Sequence, residues 1–324
     1  MLAFPTVMRA SMPEPDATTL ATWASELGLP AAVVADIARV LAPLADWIAT
    51  QQRTLGRALL LGISGAQGTG KSTLLWLLSR FLPQRHGLAV AGLSLDDLYL
   101  TAAERAIEAS RVHPLLATRG VPGTHDLTLG HRLLDALLNP QAGRVELPRF
   151  DKALDDRAVR ERWPVVTRPL DVVILEGWCL GARAQDSAEL NSPQNELERV
   201  RDPDGRWRRH VNAQLAGPYA AFFERLDRLV MLRAPNMDCV RRWRLRQERA
   251  LGRELLQKGG AGTPMDPAGV ERFMQHFERL TRVTLAELPA RADAIIDIDP
   301  QHRLGSLQLR QAHAGRDHQG AVAR

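Results

Sequence analysis

The chain has 324 residues, of which 45% are hydrophobic and 24% charged, the ordinary balance of a soluble globular protein with room for one large domain and a smaller appendage. Its net charge of +5 suits an anionic substrate or partner, yet no basic run interleaved with aromatics marks a nucleic-acid face, which disfavours that partner. Cys179 and Cys239 stand in unrelated contexts without nearby histidines, which excludes a zinc site or disulfide framework, and no apolar run approaches the ~20 residues of a membrane span.

In chain order, Met1–Pro15 lacks the basic start and continuous apolar core of a secretory signal, so a cytoplasmic location is expected; Met8 and Met12 are alternative starts. Ala17–Leu27 and Ala31–Ile48 carry apolar residues at helical spacing, split by Gly28-Leu29-Pro30, and predict a helical extension over residues 1–57. From Leu59 strands and helices alternate, the pattern of a parallel sheet with crossover helices. The predicted strands are Leu59–Ile63, Leu88–Leu95, Val172–Leu175, Leu229–Leu232 and Ala294–Ile298, within an α/β domain over residues 58–300. Two polar inserts, Tyr99–Asp126 and Ala182–Asp204, read as loops, and loops of that length are functional or disordered. Residues 301–324 read as a frayed polar tail.

Gly65-Ala66-Gln67-Gly68-Thr69-Gly70-Lys71-Ser72 fits G-x-x-x-x-G-K-[ST] without a mismatch. Its glycines let successive backbone N–H groups curl round phosphate oxygens, where a Cβ would obstruct them. Lys71 can reach the β- and γ-phosphates, and the Ser72 hydroxyl can ligate Mg²⁺. A short buried strand precedes the loop and a helix beginning at Thr73 follows it, so residues Gly65 to Thr73 form the expected site for ATP.

The second strand ends in Ser94-Leu95-Asp96-Asp97, where strand ends face the phosphate loop. Asp96 there can take the proton of an attacking hydroxyl, orient Mg²⁺ through water, or cap a helix; the cap role suits Asp97 better. The third strand ends in Glu176-Gly177, an acid placed for Mg²⁺. Two inserts, His113–Asp126 and Pro148–Arg157, pack Arg, Lys, His and Asp around tight turns, as a small anionic acceptor requires. Arg119, His125, Asp151, Lys152 and Arg157 are the candidate acceptor residues; the competing role is bracing of turns. Arg242, Arg246, Arg249 and Arg253 share one face of the helix Asp238–Arg253. That face reads as a mobile lid over the phosphates, led by Arg242 and Arg246, as an exposed face paired with Glu248 and Glu254, or as a nucleic-acid face. The stripe Val270, Phe273, Met274, Phe277, Leu280 and Val283 reads as core.

Taken together, Ser94-Leu95-Asp96 with Tyr99, Gly120-Val121-Pro122 with Asp126, and Pro148–Arg157 resemble the uridine kinase, pantothenate kinase and phosphoribulokinase group of P-loop kinases. His113-Pro114-Leu115-Leu116, Thr118–Asp126, Pro148–Lys152, Glu176–Cys179, Val211-Asn212 and Trp243-Arg244 resemble the D-glycerate 3-kinase family more closely, over roughly Leu59 to Asp299. The resemblance implies a three-layer αβα P-loop fold, ATP and Mg²⁺ as cofactors, and Asp96 as catalytic base with Glu176 near the metal. It further implies transfer of the γ-phosphoryl group to a small acceptor, D-glycerate. Phe150 and Asp155 stand where uridine kinases have Tyr and His, which argues against a nucleoside acceptor. The rivals are another small-metabolite kinase, acting on pantothenate or a sugar phosphate, and a regulatory ATP-binding protein without turnover.

Overall fold

A computed structural model describes residues 15–257 and 265–310; the leader reading over residues 1–14 and the tail beyond residue 310 lie outside the described residues. The first strand, β1 (Leu59–Gly65), is buried along its whole length, as a continuous apolar run in mid-sheet must be. It pairs in parallel with β7 (Val172–Gly177) on one side and β8 (Arg228–Arg233) on the other. Beyond these lie β2 (Val90–Ser94), paired to β7, and β9 (Ala294–Ile298), paired to β8, both parallel. The sixth strand, β10 (Leu304–Leu309), runs antiparallel to β9 at the edge, giving the order β10-β9-β8-β1-β7-β2. Among these strands stand two small pairs, β3 (Gly143–Glu146) with β6 (Val165–Arg168), and β4 (Phe150–Asp151) with β5 (Asp156–Arg157).

Alternation along the strands sorts their side chains into two cores. Leu59, Leu61, Ile63, Ile174 and Leu232 face one side, and Leu60, Val173, Leu175 and Met231 the other. Three aspartates peg the strand starts: Asp171 accepts from the Ala89 amide at 2.7 Å, Asp227 from Leu60 at 2.8 Å and Asp293 from Leu229 at 2.8 Å. These charge-assisted bonds tie each strand to its neighbour's first residues and hold the register.

On the first face, α1 (Ala17–Glu26) starts at Asp16, which accepts from the Thr19 amide at 2.7 Å. It leads to α2 (Val34–Leu55), which ends at the left-handed Gly56. The buried stripe of α2, from Ile37 to Ile48, shares one core with Leu59 of β1 and with Leu75, Trp76 and Phe81 of α3 (Lys71–His86). The N-terminal helices are thus part of the main sandwich rather than a preface to it. The same face includes α9 (Met237–Gln257), while α10 (Pro267–Glu287) reaches both cores through Met274 and Phe277. The second face holds α5 (Leu127–Leu138) and α8 (Pro218–Phe223), joined to α7 (Arg206–Ala216).

Two expectations need correction. Residues 302–310 are not a frayed tail: β10 completes the sheet, with Arg39 of α2 donating to the Leu304 and Gly305 carbonyls at 2.6 and 2.7 Å and Arg303 paired to Asp36 at 2.7 Å. Its polar composition reflects an edge strand with one face on α2. The inserts are not loops either. The first holds α4 (Ala102–Arg111), opened by a Thr101–Glu104 capping box, and the second holds α6 (Glu196–Arg201), capped by Asn195. No helix among the described residues is long and apolar enough to cross a membrane.

Candidate active site

The parallel strands deliver β1, β2 and β7 to one carboxyl edge, where Ser94 lies in register with Glu176 and Ser64 with Gly177. The phosphate loop leaves β1 there. Gly68 and Gly70 take φ of 79° and 93°, conformations that a Cβ disfavours. Gly70 caps α3 without a side-chain bond to its first amides, so these point into the loop as an anion site. The loop is braced on the Ala66 carbonyl, which accepts from the Thr69 hydroxyl at 2.8 Å and from Lys71 Nζ at 3.1 Å. Burial draws the Lys71 pKa down, against the pull of Glu176 and Asp96. Buried Glu176 accepts from the Ser72 hydroxyl at 2.9 Å and the Ser94 hydroxyl at 2.8 Å on the same oxygen. A hydroxyl and a carboxylate so joined are hard oxygen donors of the kind that Mg²⁺ takes.

A single turn of helix carries Asp96 and Asp97 off β2, capped by Ser94. The two carboxylates diverge. Asp97 points inward and holds the next insert, accepting from Arg149 at 2.9 Å and from the Phe150 amide at 3.1 Å. Its role is therefore an anchor, not a cap. Asp96 points to the site, where Lys152 Nζ lies 2.6 Å away and the Tyr99 hydroxyl donates at 2.9 Å. Burial works against its charge, yet Lys152, Tyr99 and Lys71 together hold its carboxyl well below the usual carboxylate range. Lys152 rises in turn beside Asp96.

The other acceptor candidates divide. Arg119 stands over the Phe150 ring, 5.4 Å from its centroid, and pairs with Asp155 at the tip of the β4–β5 hairpin. Electrostatically it acts on Lys152, Tyr99 and Arg244, which sets it in the same cluster. Asp151 braces the hairpin instead: it accepts from the Ala153 amide at 3.0 Å and pairs with Arg162 at 3.0 Å. Arg157 is turned to the Tyr99 carbonyl at 3.1 Å and to Asp126, the cap of α5, so it pins the two ends of the Tyr99–Asp126 insert rather than facing an acceptor. His125 is buried, stacks on Tyr99 with centroids 4.6 Å apart, and is pushed down to about 3 by burial; it is a neutral ring, not a cation for a carboxylate.

The arginine helix also departs from expectation. Arg242 and Arg246 are exposed; Arg242 reaches Cys239 Sγ at 3.0 Å, and Arg246 acts on His302 in the β9–β10 turn. The Arg253 side chain lies outside the described residues. Arg244, on the half-buried flank, pairs with Glu248 at 2.7 Å and feels Arg119 and Asp96. The phosphate loop meets this helix directly: a Cβ on Gly68 would lie 2.9 Å from Trp243 Cβ.

Comparison with known proteins places the chain among kinases. The chain is 35% identical over 240 residues to the uncharacterized kinase mug58 of Schizosaccharomyces pombe, covering 70% of this chain and 81% of that one. It is 32% identical over 260 residues to the chloroplastic D-glycerate 3-kinase of Arabidopsis thaliana, covering 75% of this chain and 53%, about half, of the relative. The chain belongs to the D-glycerate 3-kinase family of P-loop kinases. As a kinase of this family it is an ATP-dependent phosphotransferase. The solved D-glycerate 3-kinase of Cryptococcus neoformans superposes with a TM-score of 0.68 at 24% identity, over 83% of this kinase and 98% of that chain, and shares its fold. No family model matches the chain.

Several residues of the kinase site escaped the sequence. Arg105, buried to 1% exposure, donates from α4 to the Leu100 carbonyl at 2.6 Å and to Asp155 at 2.7 Å, fixing the hairpin that carries Lys152. Its only signal was a capped helix inside a supposed loop. Tyr219, on α8, sets its hydroxyl 2.6 Å from His125 Nδ1 and had no motif. Arg244 was legible: it sits four residues from both buried Val240 and Glu248, hence on the inner flank rather than with Arg242 and Arg246.

Proposed function

We propose that the kinase transfers the γ-phosphoryl group of ATP to a hydroxyl of D-glycerate, yielding 3-phosphoglycerate and ADP. One observation carries the reading. Asp96 stands among cations, Lys152 with Arg119 and Arg244 nearby, while the aromatic rings beside it are occupied with each other. Tyr99 stacks on His125 and meets Phe150 edge-on at 5.1 Å, leaving charge rather than a ring face to receive an acceptor. A small hydroxy acid fits such a surface and a nucleoside does not. The name of the Arabidopsis relative supports the same acceptor.

In the mechanism, amides of Gly65–Ser72 cradle the triphosphate and Lys71 reaches the β- and γ-phosphates. Ser72 and Glu176 would hold Mg²⁺, which when bound neutralises phosphate charge. Lys152 and Arg119 exchange their carboxylate partners for the acceptor's carboxylate, which orients its hydroxyl toward Asp96. The hydroxyl oxygen then bonds to the γ-phosphorus as the bond to the β-phosphate oxygen breaks, and Asp96 takes the proton. Such transfer runs through a loose transition state, so positioning matters more than base strength, and a strongly ionised Asp96 suffices. Arg244 offsets charge on the transferring group.

The test is acceptor-dependent ADP release with ATP and Mg²⁺ across D-glycerate, pantothenate, sugar phosphates and nucleosides. D-glycerate should give the highest kcat/KM. Turnover with another compound and only background with D-glycerate would overturn the acceptor assignment.

A further inference from the structure

His125 is a buried ring with one nitrogen satisfied and one not. Nδ1 lies 2.6 Å from the Tyr219 hydroxyl, while Nε2 is buried without a hydrogen-bond partner. The hydrogens at the Tyr219 oxygen can be assigned from its other neighbours. The Gly123 amide can only donate, and it does so to this oxygen at 3.0 Å. Burial keeps the phenol protonated, well above its ordinary pKa. If His125 also donated, the phenolic hydrogen would be stranded in the interior. If the phenol donates to Nδ1, every group at the Tyr219 oxygen is satisfied, and 2.6 Å suits an O–H donor better than an N–H donor.

The consequence is a ring hydrogen on Nε2. We infer that Tyr219 fixes His125 as the Nε2–H tautomer, and that this neutral N–H donates to an oxygen of the phosphoryl acceptor beside Asp96. The inference rests on the proposed acceptor chemistry for its second half only. The ring is tied to the site in two ways: Tyr99, on which it stacks, donates its hydroxyl to Asp96, and backbone pairing joins residues 99 and 125. Asp96 is also the ionised group whose charge acts on the ring. A cation here would pair with Asp96, as Lys152 does, and withdraw the base from the acceptor. A neutral donor can fix an acceptor oxygen and leave Asp96 free. Gly123, pressed against His210 Nε2 at 3.0 Å for any added Cβ and with φ of 101°, gives the turn that sets its amide on Tyr219.

The experiment has two arms on the full chain. Histidine ¹⁵N NMR without any acceptor should show one His125 tautomer, protonated at Nε2 and bare at Nδ1, with the signal assigned by its loss in His125→Gln. Tyr219→Phe should mix the tautomers. A Nδ1–H tautomer or an imidazolium in the unsubstituted protein would overturn the assignment whatever the acceptor proves to be. In steady-state kinetics with D-glycerate, or with whichever acceptor of the panel is turned over, His125→Ala should raise the acceptor KM about tenfold and leave the ATP KM within twofold. His125→Gln, which places a neutral N–H near the same point, should recover part of the loss. An unchanged acceptor KM, or equal damage from Ala and Gln in both KM values and in Tm, would reduce His125 to a packing residue.

Discussion

In the proposed mechanism the donor and acceptor halves of the site are assembled in opposite ways. The donor half is eight consecutive residues, Gly65–Ser72, whose backbone supplies the binding groups and whose conformation depends on Gly68 and Gly70. The acceptor half is a set of side chains from distant segments, held in charged pairs: Asp96 with Lys152, Asp155 with Arg119 and Arg105, Glu248 with Arg244. A backbone cradle is ready before its ligand arrives. Paired charges must exchange partners on binding, so the acceptor half spends part of its interaction on breaking contacts it already has. Damage to the first should therefore show in nucleotide affinity and rate together, and damage to the second in acceptor KM or in turnover alone.

Four substitutions can break that contrast. Lys71→Ala should lower kcat by about 10³-fold and weaken nucleotide binding in calorimetry, because the one side-chain cation of the cradle acts in both ground and transition states. Asp96→Asn should lower kcat by about 10²-fold while ATP binding survives. Equal loss of ATP affinity would mean that the halves are not separable. For α9, Arg244→Gln should cost about tenfold in kcat/KM and Arg246→Gln less than threefold, since Arg244 is half-buried and coupled to Arg119 and Asp96 whereas Arg246 is exposed. The reverse ranking would restore the exposed face as the working one.

The same contrast explains what could be seen in the sequence. The phosphate loop, the five parallel strands and Glu176 were legible because each is a local pattern: a glycine spacing, an apolar run, an acid at a strand end. The pairing of Asp96 with Lys152 spans 56 residues and that of Arg105 with Asp155 spans 50, and no local pattern encodes either. Arg157 carried the right charge for an anionic acceptor and Asp151 sat in the same polar block, but Arg157 pins the Tyr99–Asp126 segment and Asp151 braces its own hairpin, because a tight hairpin needs such braces before it can present Lys152. The inserts were misread through their polarity, although Thr101 and Glu104 already spelled a capping box. At β10 the misreading came from one-sided burial: Leu304 and Leu307 pack on the core while Ser306, Gln308 and Leu309 are exposed.

The smallest predicted effect concerns His125, an uncharged member of an otherwise ionic half. Its pKa is pushed down to about 3 by burial, against about 6.5 in an unfolded chain. Between these values the unfolded state binds a proton that the native ring refuses, so stability is full above pH 6.5 and falls as the pH drops. From pH 8 to pH 6 the loss from this ring is about 0.8 kcal/mol, with more to follow toward pH 3. His86, His210, His276 and His302 are also shifted down by burial and add losses of the same sign. The contribution of His125 is isolated by difference. Urea unfolding at pH 8 and pH 6 should show that wild type loses about 0.8 kcal/mol more than His125→Gln, each referred to its own value at pH 8, because glutamine does not titrate. An equal loss in both proteins would mean that the ring is protonated in the native state at pH 6. It would then be a cation beside Asp96, and the acceptor half would be ionic throughout.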